Sequence, residues 1–311
     1  MSMVSRVSRF SRSAALGLRM ARPGFLVITA VACLVGMASA AYGGGFSLPL
    51  AAATLGLALL AHAAANMLND HADAVSGADA ANVNGVFPFT GGSRLVQQGV
   101  VQAQDMRHLA IALLMLVVPG GLWLAVQSGA GLVLLGLMGV LLGWAYSAPP
   151  LALMSRGLGE IAVALAWALV VVGADYAQRG RFFVIPAVAA LGYGLMIGNV
   201  LLANAFPDAA ADASVGKRTL PVRLGLRRAA WLYLAVAAAA QAWVVGMVVA
   251  VVLPVPTLAA LAAAPLSLAA GVLLLRRKNT PERLRPALVL GIAAALVYGL
   301  GLTWGFWMVR A

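Results

Sequence analysis

The sequence predicts an all-α fold, a polytopic membrane bundle of about nine transmembrane helices. Hydrophobic residues make up 63% of the 311 positions, charged residues only 10%, and the mean hydropathy is +0.96. These values lie outside the range of soluble globular domains. The apolar residues also form long runs, each of the roughly 17–25 residues that a membrane-spanning helix needs. Such runs are longer than the roughly ten-residue strands of a membrane β-barrel and lack their alternation.

Nine such runs follow one another along the chain. We place them near residues 24–42, 47–68, 107–127, 130–148, 158–175, 183–205, 229–253, 256–275 and 287–308. The second and the sixth run directly into short acidic segments. We expect the whole chain, 1–311, to form one membrane domain that begins with a basic cytoplasmic segment over residues 1–22.

The two acidic segments stand out because the chain holds only nine Asp and Glu residues. They are NMLNDHAD over residues 66–73 and NAFPDAAAD over residues 204–212. Their acids are Asp70, Asp73, Asp208 and Asp212. The first two are three positions apart and the other two are four apart, so each pair lies on one face of a helix. Ionisable groups at a membrane border are costly, which makes these acids candidates for function.

The acids also predict a ligand. Four carboxylates around one cavity repel one another at neutral pH, and a hard divalent cation relieves that repulsion. Oxygen ligands from carboxylates, amides and phosphate are those that Mg²⁺ prefers. We therefore predict a site for a polyanion chelated by Mg²⁺.

The basic residues predict the orientation of the chain. If the N-terminus lies in the cytoplasm, 18 of the 21 Lys and Arg residues fall on the cytoplasmic side, as the positive-inside rule requires. These are Arg6, Arg9, Arg12, Arg19, Arg22, Arg94, Arg107, Arg156, Lys217, Arg218, Arg223, Arg227, Arg228, Arg276, Arg277, Lys278, Arg283 and Arg285. Arg179, Arg181 and Arg310 fall outside. Both acidic segments then face the cytoplasm, and the net charge of +12 is explained by topology and contacts with anionic membrane lipids, without nucleic acid.

Two features of organisation accompany the acids. Asp70 and Asp208 are 138 positions apart, each ends an even-numbered span, and each follows an Asn by four residues. This repetition predicts two half-bundles, at about 24–148 and 158–308. The connection over residues 77–100 is long and rich in Gly, Pro and Asn, as functional lids often are.

At these motifs the chain resembles the UbiA-type intramembrane aromatic prenyltransferases. NDHADAVSGAD, residues 69–79, is most similar to the NDxxDxxxGxD motif of the branch that prenylates 1,4-dihydroxy-2-naphthoate for menaquinone. Three further segments support the resemblance, and they keep the family's order. They are GGSR at 91–94, YSAPPL at 146–151 with RGLGE at 156–160, and DASVGKRTLPVRLG at 212–225. The resemblance covers essentially the whole chain.

The resemblance implies a Mg²⁺-dependent transfer of a polyprenyl group from prenyl diphosphate to an aromatic quinone precursor at the inner membrane of a bacterium. It implies that the four aspartates, with Asn66 and Asn204, hold Mg²⁺ against the diphosphate. Substrate binding also falls to Asn69, Asp79, Arg94, Arg156 and Arg218. The charge on the leaving group is neutralised by the metal together with Lys217, Arg218, Arg94 or Arg156.

Several roles stay open on the sequence. Tyr146 either shields an allylic cation through its ring face or is an ordinary interfacial tyrosine. Asp79 either binds metal or acts on the acceptor. Lys217 and Arg218 double as topological anchors. The oligomeric state and the prenyl chain length cannot be read from the chain.

Other functions also fit parts of the pattern. A cation-coupled transporter fits repeated halves with membrane acids. The acids lie at predicted helix ends instead of mid-bilayer, and basic residues suited to phosphate accompany them, which favours an enzyme. Among enzymes, the alternatives are a prenyltransferase for 4-hydroxybenzoate, a homogentisate or haem-modifying relative, and a UbiA-type terpene cyclase.

Overall fold

The computed structural model describes residues 15–82 and 85–310. These residues form helices and the connections between them, and no strand occurs among them, which confirms the predicted all-α class. Residues 15–21 are helical and lead into the first long helix. Arg6, Arg9 and Arg12, with most of the predicted basic segment 1–22, lie outside the described residues.

Nine apolar helices form the bundle within the described residues. They are α1 Pro23–Tyr42, α2 Leu48–Ser76, α3 Ala103–Ser128, α4 Gly131–Ser147, α5 Gly159–Arg179, α6 Val184–Ser214, α7 Leu226–Val249, α8 Val255–Arg277 and α9 Arg285–Met308. Short helical turns at Ala78–Ala81, Leu153–Arg156, Leu220–Leu224 and Pro281–Arg283 lie in the connections. All nine predicted spans are therefore present as helices.

The helices differ from the predicted spans in three respects. Eight are long and apolar enough to cross a membrane, whereas α4 has 17 residues. The first part of α8, Val255–Ala263, is a 3₁₀ helix. Most important for the site, α2 and α6 continue past the predicted ends at 68 and 205 and carry the acidic segments as helix.

A central core holds the two halves of the chain together. Helix α1 packs against α5 and α9, and α5 packs against α6. The approach of α1 to α5 is close, because a Cβ on Gly36 would lie 2.2 Å from the carbonyl oxygen of Val171. Buried tyrosines satisfy their hydroxyls within this core: Tyr193 donates to Ile28 at 2.8 Å and Tyr298 donates to Ala240 at 2.9 Å.

The outer surface of the bundle is apolar. Helices α3 and α4 expose large side chains such as Met115, Leu134 and Leu141. Large exposed apolar areas mark a surface that is covered by something other than water. Together with the span-length helices, this surface shows an integral multi-pass membrane protein.

A buried ion pair stabilises the end of α5 that lies far from Gly159. Arg179 contacts Asp175 at 2.6 Å, and Asp175 is only 1% exposed. The Arg179 guanidinium also stacks over the Phe183 ring at 3.6 Å. The charges of Arg179 and Asp175 therefore balance each other at this end of α5.

Candidate active site

The acidic segments of α2 and α6 meet at one end of the bundle. Helix α2 presents the first pair of acids on one face near its C-terminus, and α6 presents the second pair in the same way. The loop that follows α2, the start of α1 and the segment after α6 complete the site. Three contacts connect the two acidic segments: Lys217 with Asp73, Lys217 with Asp212, and Asn82 with Asp208.

Lys217 connects the two acidic segments. Its Nζ lies 2.6 Å from Asp73 Oδ1 and 3.9 Å from Asp212 Oδ1. The other oxygen of Asp212 accepts a hydrogen bond of 3.4 Å from the Thr219 hydroxyl. Burial opposes the charge of Lys217, but the carboxylates of Asp73 and Asp212 outweigh it and raise its pKa. Lys217 is therefore a permanent cation between two acids from different halves of the chain.

A second connection runs from the loop to Asp208. The side-chain amide of Asn82 donates a hydrogen bond of 2.7 Å to Asp208 Oδ1. The Thr90 side chain and the Gly91 backbone also approach this carboxylate. Asn82 follows the short helix Ala78–Ala81 directly, so the loop after the first acidic segment reaches the second one.

Asp70 is held by the loop and faced by a cation. It is 2% exposed, and its Oδ2 accepts a hydrogen bond of 2.8 Å from the Ser93 backbone amide. Arg22 Nη1 lies 3.6 Å from its Oδ1. Gly92, with φ at +69°, lies so close that a Cβ there would be 2.9 Å from both Asp70 Oδ1 and Asp79 Oδ2. Only a glycine fits between these two acids without a shift.

Asp79 is the fifth carboxyl group at this end. It is buried, and Gln97 donates a long hydrogen bond of 3.4 Å to its Oδ2. Burial, reinforced by the negative charges of Asp73 and Asp70, raises the pKa of Asp79 to about 7. The structure places Asp79 beside Asp70 and does not separate its two predicted roles.

The three predicted asparagines lie on the same faces as the acids. Asn69 donates to Asp73 Oδ2 at 3.3 Å, and Asn66 donates to the Ala21 carbonyl at 2.9 Å, which fastens α2 to the segment before α1. Asn204 lies one turn before Asp208. Its buried Oδ1 has no hydrogen-bond partner among the described residues.

The remaining predicted residues divide into two groups. Tyr146 is half-buried near Asp73 and Asp212, and its ring lies 3.5 Å from the position of a Cβ on Gly159. Arg156 is exposed and donates to the Pro150 carbonyl at 2.6 Å. The side chain of Arg218 is also exposed, and within the described residues neither arginine contacts one of the four aspartates. The structure thus brings Tyr146 to the acids but not Arg156 or Arg218.

The contacts of the Arg94 side chain lie within the loop that follows α2. Its Nη1 donates to the backbone carbonyls of Asp79 at 2.5 Å and Asn82 at 3.1 Å. The guanidinium lies over the Phe87 ring at 4.7 Å. Arg94 therefore lies near the acids, but its contacts fix the loop.

The donor set fits a hard divalent cation. In the parts of the chain that the structure describes, no three His, Cys, Asp or Glu side chains converge closely enough to hold a metal ion. Lys217 instead contacts Asp73 and Asp212. Two buried oxygens of the predicted ligand set, Asp70 Oδ1 and Asn204 Oδ1, have no hydrogen-bond partner among the described residues. Buried polar atoms are rarely left without a partner, and a cation such as Mg²⁺ would satisfy oxygens of this type.

The structure adds residues that the sequence reasoning did not assign to the site. The sequence indicates only a topological anchor for Arg22 and places Asn82 and Thr90 in a loop rich in turn residues. Ser93 belongs to the GGSR segment but has no predicted role there. Arg22 precedes Pro23 at the start of α1, a position that suits an anchor equally well. The contacts to Asp70 and Asp208 depend on residues far apart in sequence, so no local signal identified them.

Comparison with known proteins identifies the family of the chain. Residues 28–292 match the family described as the UbiA prenyltransferase family. The 1,4-dihydroxy-2-naphthoate octaprenyltransferase of Escherichia coli (strain K12) is 31% identical over 212 residues, 66% of this chain and 67% of that protein. The protein of the same name from Bacillus subtilis (strain 168) is 26% identical over 232 residues, 74% of this chain and 73% of that protein.

Solved structures share the fold at lower identity. A UbiA homologue from Archaeoglobus fulgidus, bound to DMAPP and Mg²⁺, has a TM-score of 0.58 at 20% identity, covering 94% of this chain and 98% of that chain. A structure reported for digeranylgeranylglyceryl phosphate synthase has a TM-score of 0.63 at 13% identity, covering 96% of this chain and 99% of the other. These similarities establish the architecture.

Proposed function

We propose a Mg²⁺-dependent polyprenyl transfer to an aromatic acceptor for this chain, which belongs to the UbiA prenyltransferase family. Membership makes the chain a prenyltransferase, so the expectation of an enzyme instead of a transporter is confirmed. The observation that carries the finer proposal is the meeting of both acidic segments around Lys217, 2.6 Å from Asp73 and 3.9 Å from Asp212. Such a cluster of acids and a buried cation suits a diphosphate bound together with a metal ion.

The acids and asparagines supply the oxygens of the metal site in this proposal. Asp70, Asp73, Asp208 and Asp212 would hold Mg²⁺, with Asn66 and Asn204 beside them. When bound, the metal neutralises charge that builds on the departing diphosphate. A homologue from Archaeoglobus fulgidus was solved with DMAPP and Mg²⁺, which supports a prenyl diphosphate and a divalent metal as ligands by analogy.

Lys217 and Arg22 supply fixed positive charge at the same place. Both lie close to the acids, at 2.6 Å and 3.6 Å respectively, and both are largely withdrawn from solvent. Fixed charges in a site of low polarity stabilise a leaving group more than the same charges in water. As the carbon–oxygen bond of the prenyl diphosphate breaks, the diphosphate takes the electron pair and these cations stabilise it.

The acceptor ring then reacts with the prenyl group beside Tyr146. The bond cleavage leaves an allylic cation, and we assign Tyr146 to shield it through its ring face. An electron-rich carbon of the acceptor ring attacks the cation and forms the new carbon–carbon bond. Loss of CO₂ from that carbon, or of a proton where the carbon carries no carboxylate, restores the aromatic ring.

The acceptor that the relatives favour is 1,4-dihydroxy-2-naphthoate. The relatives from Escherichia coli and Bacillus subtilis are both named for that acceptor and for an octaprenyl group. This would place the chain in menaquinone biosynthesis. We further propose a bacterial inner-membrane location with the site facing the cytoplasm, because the basic residues lie predominantly on that side.

One experiment tests the reaction and the acceptor together. Purified protein in detergent or liposomes is incubated with labelled prenyl diphosphate, Mg²⁺ and one acceptor at a time: 1,4-dihydroxy-2-naphthoate, 4-hydroxybenzoate, homogentisate or none. We expect a prenylated product and CO₂ with the naphthoate alone. Preference for another acceptor would overturn the menaquinone assignment, and a cyclised hydrocarbon formed without any acceptor would indicate a terpene cyclase.

A further inference from the structure

Asn82 lies where the loop after α2 meets the second acidic segment. It is 5% exposed, and its Nδ2 donates to Asp208 Oδ1 at 2.7 Å across 126 positions of the chain. No other side-chain amide among the described residues forms a hydrogen bond to Asp208. The contact therefore links the segment that carries Asp70 to the segment that carries Asp208.

The Asn82 amide has little room to move. A Cβ on Gly85 or on Gly91 would lie 3.0 Å from Asn82 Nδ2. The same Cβ on Gly91 would lie 2.7 Å from the Phe87 ring. The backbone therefore contacts the Asn82 amide on two sides. A larger residue at Gly85 or Gly91 would displace this amide.

Arg94 fixes the backbone on which Asn82 stands. Its Nη1 donates to the Asn82 carbonyl at 3.1 Å and also to the Asp79 carbonyl, so one guanidinium holds both ends of this short stretch. Arg94 itself adopts φ of +63°, in the left-handed region that L residues rarely occupy. A conformation of this kind persists where the surroundings hold it in place.

We propose that Asn82 is a positioning residue that orients the Asp208 carboxylate for the divalent cation, and that Arg94 acts through it by fixing its backbone. The inference rests on the proposed function, because it needs Asp208 to bind the metal. A carboxylate oxygen that accepts a fixed amide hydrogen bond cannot rotate freely, so the other oxygen is presented in one direction. Partners of this kind typically change metal affinity by about 10–100-fold when they are removed.

The test compares Asn82→Ala with Gln98→Ala, an exposed amide of the same loop that has no side-chain hydrogen bond within the described residues. The Mg²⁺ concentration for half-maximal prenyl transfer should rise about 10–100-fold in Asn82→Ala and stay unchanged in Gln98→Ala. Mn²⁺ binding to the detergent-solubilised proteins, followed by electron paramagnetic resonance, should weaken by a similar factor. If Asn82→Ala fails to fold, Asn82→Leu, which keeps nearly the same size without a donor, takes its place.

A double-mutant comparison separates positioning from a merely structural role. In an Asp208→Ala background, the additional Asn82→Ala change should cost little further Mn²⁺ affinity, because the group it orients is absent. An equal loss in both backgrounds, or unchanged Mg²⁺ dependence in folded Asn82→Ala, would overturn the inference. Absence of prenyl transfer by the native protein would instead count against the proposed function, while the Mn²⁺ measurements would still decide the role of Asn82.

Discussion

Lys217 donates a hydrogen bond of 2.6 Å to Asp73, although 144 positions of the chain separate the two residues. Asp73 belongs to α2, and Lys217 follows α6, so this contact joins the ends of the two helices that carry the acidic segments. The ammonium group occupies space between carboxylates that a metal ion would otherwise share. It therefore balances the negative charge of Asp73 and Asp212. In the proposed reaction it would also contact the diphosphate.

Lys217→Ala should lower the turnover number by about 100–1000-fold, the loss typical of one removed electrostatic donor. The Mg²⁺ requirement should stay the same or fall, because the ammonium group no longer competes for Asp73 and Asp212. Steady-state prenyl transfer over a range of Mg²⁺ concentrations measures both quantities. Arg227→Ala, an exposed cation at the start of α7, serves as the control. A raised Mg²⁺ requirement with unchanged turnover would contradict this role.

Removal of divalent metal should abolish activity. Without a cation, the carboxylates around Lys217 carry an excess of negative charge that repels a diphosphate. Prenyl transfer should fall to background after EDTA treatment and return when Mg²⁺ is added in excess. Full activity in the presence of the chelator would contradict the metal-diphosphate assignment.

The helices were predictable because a membrane imposes a length on each apolar run. The same argument placed the ends of α2 and α6 too early. An apolar run ends at its last apolar residue, whereas the backbone stays helical through Asp73 and Asp212. The spacing within each acidic pair still predicted the correct face, because it depends only on helix geometry. The predicted repeat of two half-bundles stays a prediction.

Partners across the site were not predictable in the same way. Arg22 looked like one of many topological anchors, yet it lies 3.6 Å from Asp70. Arg156 and Arg218 looked equally suited to phosphate, yet their side chains are exposed. Periodicity and local spacing describe one helix at a time, whereas these contacts arise from how the helix ends pack together.

Arg179→Ala should destabilise the protein strongly. The change leaves Asp175 charged and buried without its partner, and breaking a buried pair in this way costs about 3–5 kcal/mol. The unfolding temperature in detergent should fall, whereas Arg181→Ala, an exposed neighbour, should leave it unchanged. Adding Asp175→Asn to Arg179→Ala should restore part of the loss, since no unpaired charge then remains. Equal unfolding temperatures for Arg179→Ala and the native protein would contradict a stabilising role for this ion pair.

The distribution of basic residues predicts the positions of two reporters. A reporter fused after α9 should lie outside the cytoplasm, and one inserted in the connection over residues 278–284 should lie inside, because α9 is a single span between them. Accessibility to a membrane-impermeant label distinguishes the two positions in intact cells. Cytoplasmic reporters at both positions would mean that α9 does not cross the membrane.

The final prediction tests whether both acidic segments form one site. Asp70 and Asp208 are held by the same loop, Asp70 by Ser93 and Asp208 by Asn82. If they share one metal-diphosphate complex, Asp70→Ala and Asp208→Ala should each lower turnover by several orders of magnitude. The double variant should be little worse than the poorer single variant, because residues that act as a unit are not additive. The measurement is prenyl transfer by equal amounts of folded protein, with Gln98→Ala as the control. Losses that multiply across the pair would indicate two separate sites, and near-native activity of Asp208→Ala would leave the first segment to act alone.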